Sequence, residues 1–147
     1  MYRHMLVPID GSPLSDGAVT RAIELADALQ ARISFFFAQP DPAAAFDGEL
    51  ELSRALDPEA FTQRREREAE SILGRACEAA QSFGVSCTAH TRTAGEPFEA
   101  IIAAAGELGC DLILMASHGR RGIKGLLLGS QTQKVLVHSK FPVLVYR

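Results

Sequence analysis

Residues 111–130, DLILMASHGRRGIKGLLLGS, contain the two features that decide the fold of this chain. Asp111 to Ala116 predicts a strand, and its apolar residues do not alternate with polar ones, which is typical of a strand buried on both faces. The segment between Ala116 and Ser130 contains four glycines, three basic side chains and no carboxylate. Together they indicate a parallel sheet whose ligands bind just beyond the carboxyl ends of its strands.

The rest of the chain alternates between strands and helices. The predicted strands are Tyr2–Ile9, Ile33–Ala38, Val85–Thr93, Asp111–Ala116 and Phe141–Tyr146. The predicted helices are Leu14–Leu29, Glu59–Phe83, a helix opened by Gly95-Glu96-Pro97 that runs to Leu108, and Gly125–His138. Residues 39–57 contain Pro40, Pro42 and Gly48, and predict a long mobile connection that is a candidate flap over a ligand site.

Strict alternation of strands and helices predicts a parallel sheet with right-handed crossovers and helices on both faces. We find no repeat and no linker, so we expect residues 1–147 to form a single domain. Ligands of such a sheet bind where the strand order reverses. The candidate segments are Asp10-Gly11-Ser12, Ala38-Gln39 and the residues after Ala116.

The composition excludes several classes of protein. Hydrophobic residues make up 47% and charged residues 22% of the chain, which is typical of a globular protein and not of a disordered one or a coiled coil. The apolar runs are too short to span a bilayer. The first ten residues lack a secretory signal, and three cysteines without a C-x-x-C pair favour free thiols, so we expect a cytoplasmic protein.

The charge is distributed unevenly along the chain. The first 111 residues have 18 acidic and nine basic side chains, a net charge of −9, whereas the last 36 have six basic side chains and a net charge of +6. A local cationic segment in an acidic protein favours a small anionic ligand over a nucleic acid. The alternative is that these basic side chains are ordinary solvated surface.

The glycine-rich segment has the chemistry of a phosphate site. Glycines let backbone N–H groups turn toward a ligand, and the N-terminus of a helix that begins near Gly129-Ser130 favours an anion. Neither G-x-x-x-x-G-K-[ST] nor, after the first strand, G-x-G-x-x-G is present. An ordinary glycine-rich turn before a helix is the alternative interpretation.

The glycine spacing resembles the signature of the universal stress protein family, G-2x-G-9x-G-[S/T]. Nine residues separate Gly119 from Gly129-Ser130. The opening VPIDGS (7–12) and the closing SKFPVLVYR (139–147) also resemble the first and last strands of that family. With this resemblance we expect an α/β fold, a five-stranded parallel doubly wound sheet in the order 3-2-1-4-5 with helices on both faces.

The resemblance implies a site for ATP with Mg²⁺ or Mn²⁺. Pro8 and Asp10 would border the ribose and the metal–water shell, so that Asp10 holds the metal indirectly, and the backbone of Ala38 would meet the adenine edge. Main-chain amides and the serine hydroxyl would hold the phosphates, at Gly119, Gly129, Ser130 and Gln131. The implied set is completed by Met115, Ala116, His118 and Arg120.

Ala116 stands where the signature has its first glycine. A methyl group there is a cost if the position needs a positive φ or touches the ligand, and harmless if it is the last extended residue of a strand. For His118 we expect a hydrogen bond to a phosphate or within the turn, since no Ser/His/Asp grouping surrounds it. No catalytic residue is predicted.

Three functions remain open. The first is a nucleotide-binding stress-response or signalling module, the second a scaffold of the same fold that acts through dimerisation without nucleotide, and the third a slow ATPase. The family resemblance implies a homodimer formed through the last strand, Val143, Leu144, Val145 and Tyr146, which is apolar and would form a sheet edge. We expect no nucleic-acid or membrane partner.

Overall fold

A computed structural model describes residues 1–43, 48–119 and 128–147 of the chain. Its strands are β1 (His4–Pro8), β2 (Arg32–Pro40), β3 (Cys87–Ala94), β4 (Leu112–Ala116) and β5 (Val143–Tyr146). Its helices are α1 (Pro13–Leu29), α2 (Gly48–Leu56), α3 (Pro58–Ser82), α4 (Pro97–Glu107) and α5 (Ser130–His138). None of the helices in these ranges has the length and apolarity to cross a membrane.

The five strands form one sheet in the order β3-β2-β1-β4-β5, and every neighbouring pair is parallel. This confirms the predicted fold class and strand order. β1 pairs with β2 on one side and with β4 on the other, so the strand order reverses between β1 and β4. The loops that follow these two strands therefore begin at the point where ligands of doubly wound sheets bind.

Two apolar clusters cover the two faces of the sheet. α1 and α3 pack on the face that receives Val7, Phe35 and Phe37. Residues of α4 and α5 pack on the opposite face, with Leu6 and Phe36. Successive side chains of a strand point to opposite faces, so a run of three phenylalanines supplies both clusters. All three phenylalanines are therefore core residues.

The prediction of a long connection over residues 39–57 is wrong in two respects. β2 continues through Pro40, and residues Gly48–Leu56 form α2, whereas residues 44–47 lie outside the described ranges. The sequence GELELSRAL has acidic residues in its first turn and Arg54 in its last, which favours a helix through the helix dipole. Arg64 of α3 donates to Ser53 Oγ at 2.6 Å and ties α2 to α3. A movement of this segment over a ligand stays a prediction.

The last helix also differs from its predicted bounds. α5 begins at Ser130, and Leu128 and Gly129 are not helical; residues 125–127 lie outside the described ranges. Gly129 is extended, with φ −67° and ψ 154°, because it is the N-cap of the helix. The other predicted bounds lie within one or two residues of those in the structure.

A chain of polar side chains crosses three strands on the face covered by α4. His4 Nε2 lies 2.8 Å from Ser34 Oγ, which lies 2.9 Å from Thr88 Oγ1, and Thr88 Oγ1 lies 3.0 Å from His90 Nε2. His4 is buried, and its burial lowers the pKa of the imidazole below the usual 6.5. The charge of Arg32 also lowers this pKa, while Asp111 raises it.

We expect His4 to make the protein less stable in mild acid. Because its pKa in the folded state lies below 6.5, unfolding takes up a proton, so its contribution to stability is present above pH 6.5 and is lost as the pH falls below that value. Urea unfolding between about pH 5 and 7.5 measures this. His4→Gln should flatten the pH dependence, whereas His138→Gln, at an exposed position, should leave it unchanged. An equal slope in all three proteins would contradict the prediction.

Candidate functional site

Asp10 lies at the tip of the loop between β1 and α1. Its Oδ1 accepts the N–H of Ser12 at 2.9 Å, and its own N–H donates to Ser15 Oγ at 3.1 Å. Ser12 caps α1 by accepting the N–H of Ser15 at 3.2 Å, and Pro13 is the first helical residue. Gly11 has φ +78°, which favours glycine. These contacts fix the direction of the Asp10 carboxylate.

Gly119, after β4, lies against this carboxylate. A Cβ atom at Gly119 would overlap Asp10 Oδ2, so a larger residue there would displace the Asp10 carboxylate or shift the loop. The loops after β1 and β4 therefore meet in space, at the point where the strand order reverses. The fold thus brings together two of the residues that the sequence places in the site, although they are distant in the chain.

Gly129 lies against the backbone of the same loop. Its N–H donates to Ser117 O at 2.6 Å, and a Cβ atom at Gly129 would lie 3.1 Å from Ser117 O and 3.4 Å from His118 Cα. Glycine allows this close approach of two backbone segments. Because the Gly129 N–H is bonded within the protein, the contribution of Gly129 to a ligand site is to bring the start of α5 up to the loop after β4.

Among the residues that the structure describes, no side chain caps the N-terminus of α5, whose N-cap is Gly129. The first N–H groups of a helix have no acceptor within the helix, so those of Ser130 and Gln131 point out of its end. This end carries the positive pole of the helix dipole, which favours an anion. Thr132 donates from Oγ1 to Ala116 O at 3.0 Å and fixes this first turn to the end of β4.

The side chain of Gln131 joins two helix N-termini. Its Oε1 accepts the N–H of Phe98, in the first turn of α4, at 2.9 Å. Lys134 Nζ lies 2.9 Å from Glu96 Oε2 and reinforces the same contact. The side chain of Gln131 thus links α4 to α5. The group of Gln131 that can bind a ligand is its main-chain amide.

Pro8, Ala38 and Met115 lie on the face of the sheet that α4 and α5 cover. Met115 and Ala38 belong to the apolar cluster on that face, and Pro8 follows Leu6 by two positions. Phe36 O accepts the N–H of Ile9 at 2.9 Å, so the polar backbone groups of Phe36 face β1. The polar backbone groups of Ala38, two residues further along β2, also face the β1 side of that strand. They lie beyond Phe36, the last residue of β2 that pairs with β1, so the edge of a bound ligand can reach them.

Ala116 is the last residue of β4 and pairs with Tyr146 of β5. Its side chain is buried in the cluster on the α1 and α3 face, opposite to Met115. In the described part of the chain, Gln30 is the only residue other than glycine with a positive φ. Of the two alternatives for Ala116, the structure therefore shows the last extended residue of a strand.

His118 makes a hydrogen bond within the turn, since its Nδ1 lies 2.9 Å from Ser117 Oγ. Its Nε2 is buried and has no partner among the residues that the structure describes. Within those residues no three His, Cys, Asp or Glu side chains form a group that could hold a metal ion. Arg120, which completes the sequence-predicted site, lies outside the described ranges, as do Arg121 and Lys124.

Sequence reasoning missed Ser117 and Thr132, whose hydrogen bonds join the end of β4 to the start of α5. Ser117 accepts the N–H of Gly129 and donates its own N–H to Tyr146 O at 2.7 Å. Thr132 is buried and bonds the end of β4. The one signal in the sequence was the position of both residues beside the signature glycines.

The fold and this site define a class of protein. It is a doubly wound α/β protein in which the N-terminus of a helix, preceded by a glycine, lies at the point where the strand order reverses. The model of the universal stress protein family matches residues 1–147. The chain is 35% identical over 152 positions to universal stress protein YxiE of Bacillus subtilis, with all of both chains covered. The chain belongs to the universal stress protein family.

Solved structures have the same fold. The structure of the hypothetical protein MJ0577 matches with a TM-score of 0.82 and 24% identity, covering 99% of this chain and 96% of that one. A universal stress protein in complex with cAMP matches with a TM-score of 0.71 and 26% identity, covering 99% of this chain and 97% of that one.

Proposed function

We propose that this chain binds an adenine nucleotide, ATP in the first place, at the loops after β1 and β4, and acts as a dimeric stress-response module. The observation that carries the proposal is the uncapped N-terminus of α5, placed beside the contact between Asp10 and Gly119. Binding, and not turnover, is the activity we infer.

The phosphates would lie in front of α5. The amides of Ser130 and Gln131 and the hydroxyl of Ser130 are donors at the positive end of the helix, and this is the arrangement that phosphate prefers. The sequence adds three cations, Arg120, Arg121 and Lys124, to the segment between Gly119 and Gly129.

The base would lie along the face that Pro8 and Ala38 line. The backbone groups of Ala38 face the open side of the sheet beyond β1 and can bond the edge of a planar base. The relative that was solved in complex with cAMP supports an adenine nucleotide as the class of ligand.

The residues present fit a metal ion that arrives with the nucleotide. Asp10 is a single carboxylate, and the described residues form no metal-binding cluster, so those residues alone offer Mg²⁺ or Mn²⁺ too few ligands. Mg²⁺ is commonly bound by one or two carboxylates together with phosphate oxygens and water. Such an ion would also neutralise the repulsion between Asp10 and the phosphates.

Equilibrium dialysis of ATP against the purified chain tests the proposal. We expect saturable binding of one ATP per chain in the presence of Mg²⁺, and weaker competition by GTP than by AMP or cAMP. A failure to saturate at millimolar ATP would overturn the proposed function.

Removal of the metal should weaken ATP binding through Asp10. With a chelator we expect the affinity to fall by about tenfold, which corresponds to about 1.4 kcal/mol. Asp10→Asn should lose most of this dependence on the metal, because the neutral amide no longer repels the phosphates. Asp16→Asn, at an exposed position in the first turn of α1, is the control and should keep it. Equal metal dependence in both variants would contradict the role of Asp10.

The second candidate function is a scaffold of the same fold without nucleotide, and Ala116 is the observation that favours it. If the methyl group blocks the ligand, Ala116→Gly should create ATP binding that the native chain lacks. Since Ala116 is an extended strand residue with its side chain on the opposite face to Met115, we expect the substitution to leave the ATP affinity unchanged.

The proposed dimer forms through β5. This strand lies at one edge of the sheet, and edge strands with apolar side chains are usually covered. Leu144 of β5 and Leu136 and Val137 of α5 are exposed apolar side chains near this edge. An isologous contact between two copies would cover them.

Leu144→Asp should convert the dimer to a monomer. The substitution places a charge in the proposed contact, and size-exclusion chromatography with light scattering measures the mass at micromolar concentration. Leu52→Asp, at an exposed position of α2, should leave the dimer intact. A native chain that elutes with the mass of a monomer would contradict the proposed dimer.

We also propose that residues 1–147 act as a single domain and that the compartment is the cytoplasm. Two apolar clusters on the two faces of one sheet support the first statement. Three free cysteines support the second.

A further inference from the structure

We propose that Cys77 and Cys87 form a redox-active dithiol, which hydroperoxides convert to a disulfide that joins α3 to β3. This inference does not depend on nucleotide binding. α3 ends at Ser82, the chain turns at Gly84, which has φ +74°, and β3 begins at Cys87. The turn brings the last part of the helix back over the start of the strand.

The Cys87 thiol lies against Cys77. Cys87 Sγ donates to Cys77 O at 3.8 Å, and the neighbouring Cys87 side chain contributes to raising the pKa of the Cys77 thiol. Both are partly buried and pack against the cluster on the α3 face of the sheet. A disulfide between a helix and a strand needs this close approach of the two side chains.

A small oxidant can reach Cys77. A cleft of about 370 Å³ lies between α3 and β3, and Cys77 lines it together with Leu73, Ala89 and Thr91. The third cysteine, Cys110, is buried in the cluster on the opposite face of the sheet. Oxidation should therefore be confined to Cys77 and Cys87.

The reaction balances with one hydroperoxide. The Cys77 thiolate attacks a peroxide oxygen, so that an S–O bond forms, the O–O bond breaks, and the leaving oxygen takes up the proton. Cys87 then attacks the sulfur of the sulfenic acid, an S–S bond forms, the S–O bond breaks, and hydroxide leaves with the second thiol proton as water. Two thiols are oxidised, and hydrogen peroxide is reduced to two molecules of water.

The surroundings of the pair make this reaction slow. Burial, together with the contact with Cys87, raises the pKa of the Cys77 thiol to about 12. Because the thiolate is the nucleophile, the protonated Cys77 thiol reacts only under sustained exposure to oxidant.

Peptide mapping of the oxidised chain tests the inference. The purified full chain is treated with hydrogen peroxide for increasing times, alkylated and digested with trypsin. Cleavage after Arg75 and Arg92 gives one peptide, 76–92, that contains both cysteines, while Cys110 lies in another. We expect peptide 76–92 to lose the mass of two hydrogens and to resist alkylation. After reduction it should regain the two hydrogens and become alkylated at both cysteines.

Variants and thermal unfolding complete the test. Cys110→Ser should still form the disulfide, whereas Cys77→Ser and Cys87→Ser should not. The oxidised native chain should unfold at a temperature a few degrees higher, since the cross-link constrains the unfolded chain. Addition of oxygen to Cys77 without loss of two hydrogens, a disulfide that involves Cys110 or a second chain, or an unchanged peptide would each overturn the inference.

Discussion

Replacement of Gly129 with arginine is expected to lower the affinity for ATP by at least about 100-fold, a change of about 2.8 kcal/mol. The Cβ atom would press on Ser117 O, 3.1 Å away, and the long side chain would fill the space in front of α5. Overpacking of this kind costs about 1–3 kcal/mol. A domain with a stability of about 5–15 kcal/mol stays folded after such a loss.

Gly74→Arg is the matched control for this substitution. Gly74 lies in α3, and a Cβ atom there meets nothing within 4 Å, so the same change in charge and size is placed far from α5. Equilibrium dialysis should show native affinity in this control. Native affinity in Gly129→Arg would contradict the proposed position of the phosphates.

Phe35→Ala should destabilise the chain by about 3–5 kcal/mol. Phe35 is fully buried in the cluster between the sheet and α1 and α3, and truncation would leave a cavity that the neighbouring strands cannot fill. Urea unfolding measures the change. Phe83→Ala is the control, because Phe83 is exposed after the end of α3, and its loss should change the stability by less than about 1 kcal/mol.

A loss of less than about 1 kcal/mol in Phe35→Ala would contradict the place of this ring in the core. The folded variant should bind ATP as the native chain does, because Phe35 points away from the face that Pro8 and Ala38 line. A selective loss of ATP binding would instead assign the ring to the ligand site.

The sheet was predictable from local sequence because strands buried on both faces have to be apolar. DLILMA (111–116), ISFFFA (33–38) and MLV (5–7) each supply apolar side chains to both faces of the sheet. α2 was missed for the opposite reason. None of its residues is buried, so it has no apolar stripe set by the core, and the prolines before it suggest a loop.

The candidate site was only partly predictable. Asp10, Gly119 and Gly129 stand out by their position after strands and before a helix. The bond of Gln131 to Phe98 joins residues 33 positions apart, and that of Thr132 to Ala116 joins residues 16 apart. Such contacts depend on how α4 and α5 pack, and no local pattern encodes them. The conformation of Ala116 likewise depends on its pairing with Tyr146.

An NMR titration of the ¹⁵N-labelled chain with ATP and Mg²⁺ tests most directly whether the start of α5 holds the phosphates. We predict saturable shifts of the backbone amides of Gly119, Ser130 and Gln131, and little change in the amides that line the cleft between α3 and β3. Shifts that do not saturate, or that saturate only away from these three amides, would contradict the proposed site.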